Sequence, residues 1–331
     1  MLNLPYRLVP FAVRMAVSGW VLLATLAVAS CAPDPLSPEL GKLPGRLISS
    51  KTTMVTAWQF PNNPLTDSTL GNSRVADQIR LGFRIFTNTP VEASELMHGQ
   101  MSCNNCHMNG GQRELSLPLI GVAAMFPEFN RRADRMFSLE DRIVGCFYRS
   151  QNATGILDPT VTGAANPDDH AEMLPGPDSQ EVLALSAYLR WLSRGFEPGV
   201  AAPWRRKNVI DPENRIPLEE LDPARGEELF MEHCTNCHGE EGQGVQIGTK
   251  KAGPHWGPNS WNDGAGAARI YTLAGIIRYS MPYLDPGRLT DEEAQLVARF
   301  INSKQRPSYP FKAQDYLAVD LPVDSVYYPK P

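Results

Sequence analysis

Two short runs in the chain carry residues able to do redox chemistry: Cys103-Asn104-Asn105-Cys106-His107 and Cys234-Thr235-Asn236-Cys237-His238. Two thiols three positions apart fit the two vinyl groups of one haem, and the adjacent His then lies beneath the iron as its proximal ligand. A zinc site would have to unite two Cys pairs from distant parts of the chain, and it leaves the His after each pair unexplained. A thioredoxin-like dithiol needs a βαβ setting that the surrounding sequence lacks. Two copies of the pattern point to two covalently bound haem c groups, with Cys103, Cys106, Cys234 and Cys237 as attachment points and His107 and His238 as proximal ligands.

The chain has six cysteines, so two remain. Cys31 ends the run Val28-Ala29-Ser30-Cys31, which is similar to a bacterial lipobox. Before it stand Arg7 and Arg14 with no acid in residues 1–15, then an apolar stretch over residues 16–30. A basic start, an apolar middle and small residues at the cut read as a secretory signal, and the apolar run falls short of the ~20 residues of a bilayer span. We expect residues 1–30 to be the signal and Cys31 to carry a lipid anchor in the periplasm. The alternatives are a retained N-terminal anchor, and ordinary cleavage after Ala29 that leaves Cys31 a thiol. Cys146 has no intramolecular disulfide partner left, and in an oxidising compartment such a thiol is either inert or chemically engaged.

Each haem needs a distal ligand. In the second half Met281, followed by Pro282, is preferred over His233 and His255, because a thioether on a Pro-stiffened loop gives the His/Met ligation that raises a haem's potential. In the first half Met108, Met125, Met136, Cys146, His170 and Met173 are all candidates. Cys146 lies on an unusual segment. Ser138 with Asp141 marks a helix start, giving a helix over residues 139–150 on which Arg142, Cys146 and Ser150 form one stripe. Gly145 removes bulk beside the thiol. From residue 113 to residue 149 there are six Arg and no Lys. A guanidinium presents a planar fork to oxyanions, although Glu114, Glu128, Asp134, Glu140 and Asp141 lie in the same window and allow an ordinary ion-paired surface.

The elements that must hold these groups repeat. Residues 74–89 precede the first motif and residues 222–233 the second; both have helical apolar spacing, with Gly82 and Phe86, then Gly226 and Phe230, four apart. A Gly on such a face lets another helix cross closely. Each half also ends in a helix: residues 178–195, opening with Asp178 and Glu181 in capping-box spacing and closing on Gly195, and residues 289–304, opening with Thr290 and Glu293. The expected fold class is all-α, two class I cytochrome c domains in tandem with loop-rich insertions. The expected layout is a tether over residues 31–55, a first domain over 56–197, a linker over 198–217, a second domain over 218–307 and an extended C-terminal strap over 308–331.

Composition agrees with this and removes other classes. The chain has 331 residues, 42% hydrophobic, enough for two cores but not four. Its 29 prolines and 26 glycines imply many loops, and no stretch alternates strands with helices as a doubly wound enzyme would. A net charge of -5 without a Lys/Arg run is a poor match to a nucleic-acid partner.

Three segments, MSCNNCH, SLEDRIVGCFYRSQN and HWGPNSWNDGAGAARIYTLAGIIRYSMP, resemble the dihaem thiosulfate dehydrogenases, the tetrathionate-forming enzymes of bacterial envelopes, and the likeness spreads over residues 58–300. The resemblance implies His107 and Cys146 on the first iron, which is the active site, and His238 and Met281 on the second. It implies Cys146, Arg132, Arg142 and Ser150 as catalytic or substrate-handling groups, thiosulfate and tetrathionate as substrate and product, and an external acceptor such as a cytochrome c. Two positions depart from relatives: Ser280 stands where some have Lys, and Gln151-Asn152-Ala153 where Met-Asn-Gly is common. The competing readings are a dihaem electron carrier with no substrate of its own, and a tetrathionate reductase or an enzyme for another sulfur compound.

Overall fold

The computed structural model describes residues 47–48, 60–97, 99–153, 175–248 and 250–329. The signal segment, Cys31, nearly all of the tether, and the candidate ligands His170 and Met173 lie outside the described residues.

The described residues form ten helices: α1 (Arg74–Thr87), α2 (Thr89–Glu92), α3 (Cys103–Cys106), α4 (Met108–Gly111), α5 (Leu139–Arg149), α6 (Gln180–Leu192), α7 (Pro223–His233), α8 (Thr235–His238), α9 (Ile270–Ser280) and α10 (Asp291–Ile301). The halves repeat one plan. In the first, α1 begins where the Ser73 hydroxyl accepts from the Ala76 amide, and it buries Ala76, Ile79, Phe83 and Phe86 on one face. That face crosses α6 at Gly82, where an added Cβ would stand 1.9 Å from the Ala184 carbonyl oxygen. In the second half α7 crosses α10 at Gly226, where a Cβ would stand 2.1 Å from the Leu296 oxygen. Each Gly therefore lets two backbones approach at a distance that any side chain would forbid. Around the first crossing Phe83, Phe86, Tyr188 and Trp191 interlock, with ring centroids 5.4–6.0 Å apart. Around the second, Phe230, Trp256 and Phe300 do the same at 5.3–5.7 Å.

Two of the three expected capping boxes form, at Ser138/Asp141 on α5 and Thr290/Glu293 on α10. The third does not. Helix α6 starts one residue later than Asp178 implies, with Ser179 at the N-cap and no side-chain cap bond, because the Ser179 hydroxyl accepts from the Gly176 amide instead. The helix also ends at Leu192, ahead of Gly195. Two short antiparallel ladders, β1–β2 (Glu128–Asn130 with Arg135–Phe137) and β3–β4 (Gln246–Ile247 with Lys250–Lys251), qualify the all-α expectation. Segments of two or three residues carry too little periodicity to be read from sequence.

The halves are joined by more than chain continuity. Trp204 in the connecting segment donates to the Ile120 oxygen at 3.0 Å, and the Ile216 amide donates to Gln295 at 3.0 Å. The C-terminal residues carry only a 3-10 turn, Lys312–Gln314. They touch both halves, through Lys312 on Asp263, Asp315 on Arg149 and Asp324 on Arg269.

Candidate functional site

Helix α5 positions the odd thiol. Its capping box fixes the start, and Glu140 in the first turn accepts from Ser186 at 2.5 Å and Arg190 at 3.0 Å, both on α6. Leu139, Ile143 and Phe147 are buried along one stripe. The neighbouring stripe is Arg142, Cys146 and Ser150, one turn apart each. Ser150 is the C-cap, and its amide donates to the Cys146 carbonyl at 2.8 Å.

The first Cys-x-x-Cys pair occupies a single turn, α3, closed by the Asn105 side chain accepting from the Ser102 amide at 2.6 Å. The Cys103 sulfur is contacted by the Thr89 hydroxyl at 3.7 Å and the Gln151 amide nitrogen at 3.5 Å. Burial pushes the Cys103 thiol up to about 11, and the Cys146 charge adds to this. Burial pushes Cys106 up to about 12, with Cys103 and Cys146 adding. The end of α5 lies beside this turn: the Gln151 amide donates to the Cys146 carbonyl at 3.1 Å, and the Gln151 side chain is the one that meets the Cys103 sulfur. His107 bonds through Nδ1 to the Leu117 carbonyl at 2.7 Å, which leaves Nε2 for a metal. Burial lowers the His107 pKa and the Arg142 field lowers it further, against the opposing Leu117 bond; the net lowering favours the neutral ring that ligates a metal.

The arginines divide sharply. Arg149 is bidentate on Asp315, at 2.7 Å in both bonds. Arg135 pairs with Asp141 at 3.0 Å, and Arg113 donates to the Tyr283 carbonyl. Arg132 donates to the Gly264 carbonyl at 2.7 Å and lies 5.1 Å over the Tyr316 ring. Among the described residues neither Arg131 nor Arg142 meets a carboxylate at salt-bridge distance. Two of the six guanidinia are thus neutralised by carboxylates, Arg113 is buried on a carbonyl and an aromatic ring, and the cationic remainder is Arg131, Arg132 and Arg142, with Arg132 held by the second half. Sequence reasoning missed Thr89, Leu117, Gly264 and Asp315, and met Gln151 only as a departure from relatives, not as a contact of Cys103. Each acts across at least ten residues of chain, so no local pattern announces it.

In the second half, His238 lies at the end of α8, and its Nδ1 faces the Gly253 carbonyl at 3.4 Å. Burial pushes His238 down to about 4 and Cys234 up to about 12. Met281 caps α9 and packs half-buried against the second core. His255, the rival ligand, lies with its ring 4.0 Å from that of His238. Next to it stands Trp261, whose ring is 5.7 Å away, and Arg306 lies 4.8 Å over that Trp. Arg306 is buried and spends Nε on Tyr327 and Nη2 on the Ile301 oxygen. Its Nη1, the Trp261 indole nitrogen and the His255 Nδ1 are enclosed without a hydrogen-bond partner. A buried guanidinium with one unfilled nitrogen, beside enclosed ring nitrogens, is a setting that can receive an acceptor group such as a carboxylate. A haem supplies two carboxylates, so the donor set fits that cofactor.

Two helical halves, each with a thiol pair, a His directly after it whose Nδ1 faces a carbonyl, and a sulfur side chain on a later element, define a dihaem c-type cytochrome. Known proteins agree. Residues 95–197 match the family described as "SoxA/TsdA, cytochrome c domain", and residues 221–301 match "Cytochrome C oxidase, cbb3-type, subunit III". The chain is 34% identical to a thiosulfate dehydrogenase of Stutzerimonas stutzeri over 87% of each chain. It is 32% identical to one of Allochromatium vinosum over 74% of this chain and 82% of that protein. A solved structure, thiosulfate dehydrogenase (TsdBA) from Marichromatium purpuratum, superposes with a TM-score of 0.64 at 31% identity, covering 76% of this chain; the chain spans only 50% of that protein's length. The chain belongs to the thiosulfate dehydrogenase family, and is an oxidoreductase whose two cytochrome c domains carry covalently bound haem c.

Proposed function

We propose that this protein joins two thiosulfate ions through sulfur into one tetrathionate ion, releasing two electrons to an external acceptor such as a cytochrome c. In this reading residues 56–197 are the catalytic domain, where Cys103 and Cys106 would hold a haem with His107 and Cys146 as its ligand residues. Residues 218–307 are the electron-delivering domain, with Cys234 and Cys237 as attachment and His238 and Met281 as ligands. Residues 198–217 link the two, and residues 308–331 strap them together. Arg306 and Trp261 take carboxylates of the second haem. Export to the periplasm on residues 1–30 and a lipid on Cys31 belong to the same reading.

The observation that carries it is the place of Cys146: its carbonyl accepts from Gln151, whose side chain meets the Cys103 sulfur, and it shares a helix stripe with Arg142. A simple electron carrier needs neither an extra thiol at the site nor a cation without a carboxylate partner. The named relatives supply the substrate.

Two dianions must meet. Even single charges repel by about 4 kcal/mol at ~4 Å and an effective dielectric near 20, and dianions by more. Arg142 and Arg132 oppose that repulsion, and the Ser150 hydroxyl donates to an oxyanion. Cys146 sets a sulfur where the sulfur–sulfur bond forms. The haem groups, when bound, take up electrons one at a time.

The test is turnover of the purified holoprotein with thiosulfate and ferricyanide, with tetrathionate assayed alongside. Cys146→Gly and Cys146→Met should keep both haems and lose turnover; normal turnover would sink the assignment. Arg142→Lys keeps the charge but not the fork, and should lower kcat/KM by about tenfold.

A further inference from the structure

The segment that holds His107 in the first half is bonded to the segment that bears Met281 in the second. Ser280, immediately before Met281 and fully buried, donates its hydroxyl to the Leu115 carbonyl at 2.8 Å. Two residues on, the Leu117 carbonyl holds Nδ1 of His107. A second set of contacts runs alongside. The Tyr283 hydroxyl donates to Asn109 at 2.7 Å, and the Arg113 guanidinium donates to the Tyr283 carbonyl while lying 3.9 Å over its ring. The segment that receives these bonds is strained: Leu115 and Leu117 have φ of 59° and 48°, and Asn109 has 54°. Left-handed backbone at a Leu is costly and persists only where surrounding contacts enforce it. Here it turns one carbonyl toward Ser280 and the other toward His107.

We propose that Ser280 is a positioning residue that couples the two haem sites. Its hydroxyl and the Leu115–Leu117 backbone form a bridge through which the way Met281 is held alters the hydrogen bond that tunes His107. That bond matters because a carbonyl on Nδ1 raises the basicity of the ring toward a metal. Linkage makes the effect reciprocal: whatever the second site does to the reduction equilibrium of the first, the first does to the second. The bridge rests on the reading of His107 and Met281 as axial ligands.

The experiment is a redox titration of the holoprotein with the two haems resolved by their spectra, comparing the parent with Ser280→Ala, Tyr283→Phe and Met281→Ala. Ser280→Ala should keep both low-spin spectra and shift the reduction equilibrium of the first haem, the one not adjacent in sequence, by about fivefold, the weight of one neutral hydrogen bond. Tyr283→Phe, which removes only a hydroxyl, should move it in the same direction and covers the case in which Ser280→Ala folds poorly. If both variants shift only the second haem, Ser280 acts locally and the bridge is overturned while the ligand reading stands. If Met281→Ala leaves both spectra unchanged, the ligand reading falls and takes the bridge with it.

Discussion

Removing the Asp315 carboxylate should destabilise the fold more than any surface change. Asp315 and Arg149 are joined by two bonds of 2.7 Å, and their side chains are only 3% and 17% exposed. Tyr328 donates a further bond to Asp315 at 2.5 Å, and Arg149 also donates to the Gly264 carbonyl at 3.1 Å. Burial works against the Arg149 charge, and the Asp315 bonds, together with Tyr309 and Tyr328, more than restore it. Asp315→Ala leaves that guanidinium buried without its counter-charge, a loss worth about 3–5 kcal/mol. At ~1.5–2 °C per kcal/mol for a chain of this length, this corresponds to a fall in Tm of roughly 5–10 °C. The measurement is thermal and denaturant unfolding of the holoprotein followed by helical circular dichroism. A double variant, Arg149→Met with Asp315→Leu, removes both charges together and should recover most of the loss, because well-packed apolar replacements of a buried pair are often neutral. A single variant within about 1 kcal/mol of the parent, or a double variant as unstable as the single, would refute the reasoning.

Two other outcomes are expected. Gly226→Ala gains about 1 kcal/mol of helix propensity, but its Cβ would lie 2.1 Å from the Leu296 oxygen, so a net loss of roughly 1–3 kcal/mol should appear in denaturant unfolding. The Asp141 carboxyl is held below the usual carboxylate range, first by its bond to Arg135 and also by the Ser138 amide. Its contribution is therefore fully present above the ordinary Asp value and is lost as pH falls through the depressed one. Acid titration of stability should show this loss in the parent and a flatter profile in Asp141→Asn.

What was legible in the sequence is what short-range physics fixes. The capping boxes at Ser138 and Thr290 each span one helical turn, so the spacing itself defines the bonds. Gly82 and Gly226 were readable as crossing points because a Gly on a buried helical face has few other uses. Asp178 misled, since Ser179 competes for the same cap and its hydroxyl is taken by Gly176. The arginine window illustrates the limit. Six guanidinia in 37 residues look like an anion site, yet Arg149 is neutralised by Asp315, 166 residues away, and Arg132 is aimed by the Gly264 carbonyl. Composition counts charges, and only the fold pairs them. The bond from Ser280 to Leu115 was equally hidden, because it depends on two strained residues with no sequence signature.

The central claim is that the Cys146 sulfur is bound to the first iron beside a cationic cleft. Electron paramagnetic resonance of the oxidised holoprotein tests it most directly. The expected result is a low-spin thiolate-ligated haem signal that disappears in Cys146→Gly, while the signal of the second haem is kept. A parent spectrum without any thiolate-ligated haem, or one unchanged by Cys146→Gly, would contradict it.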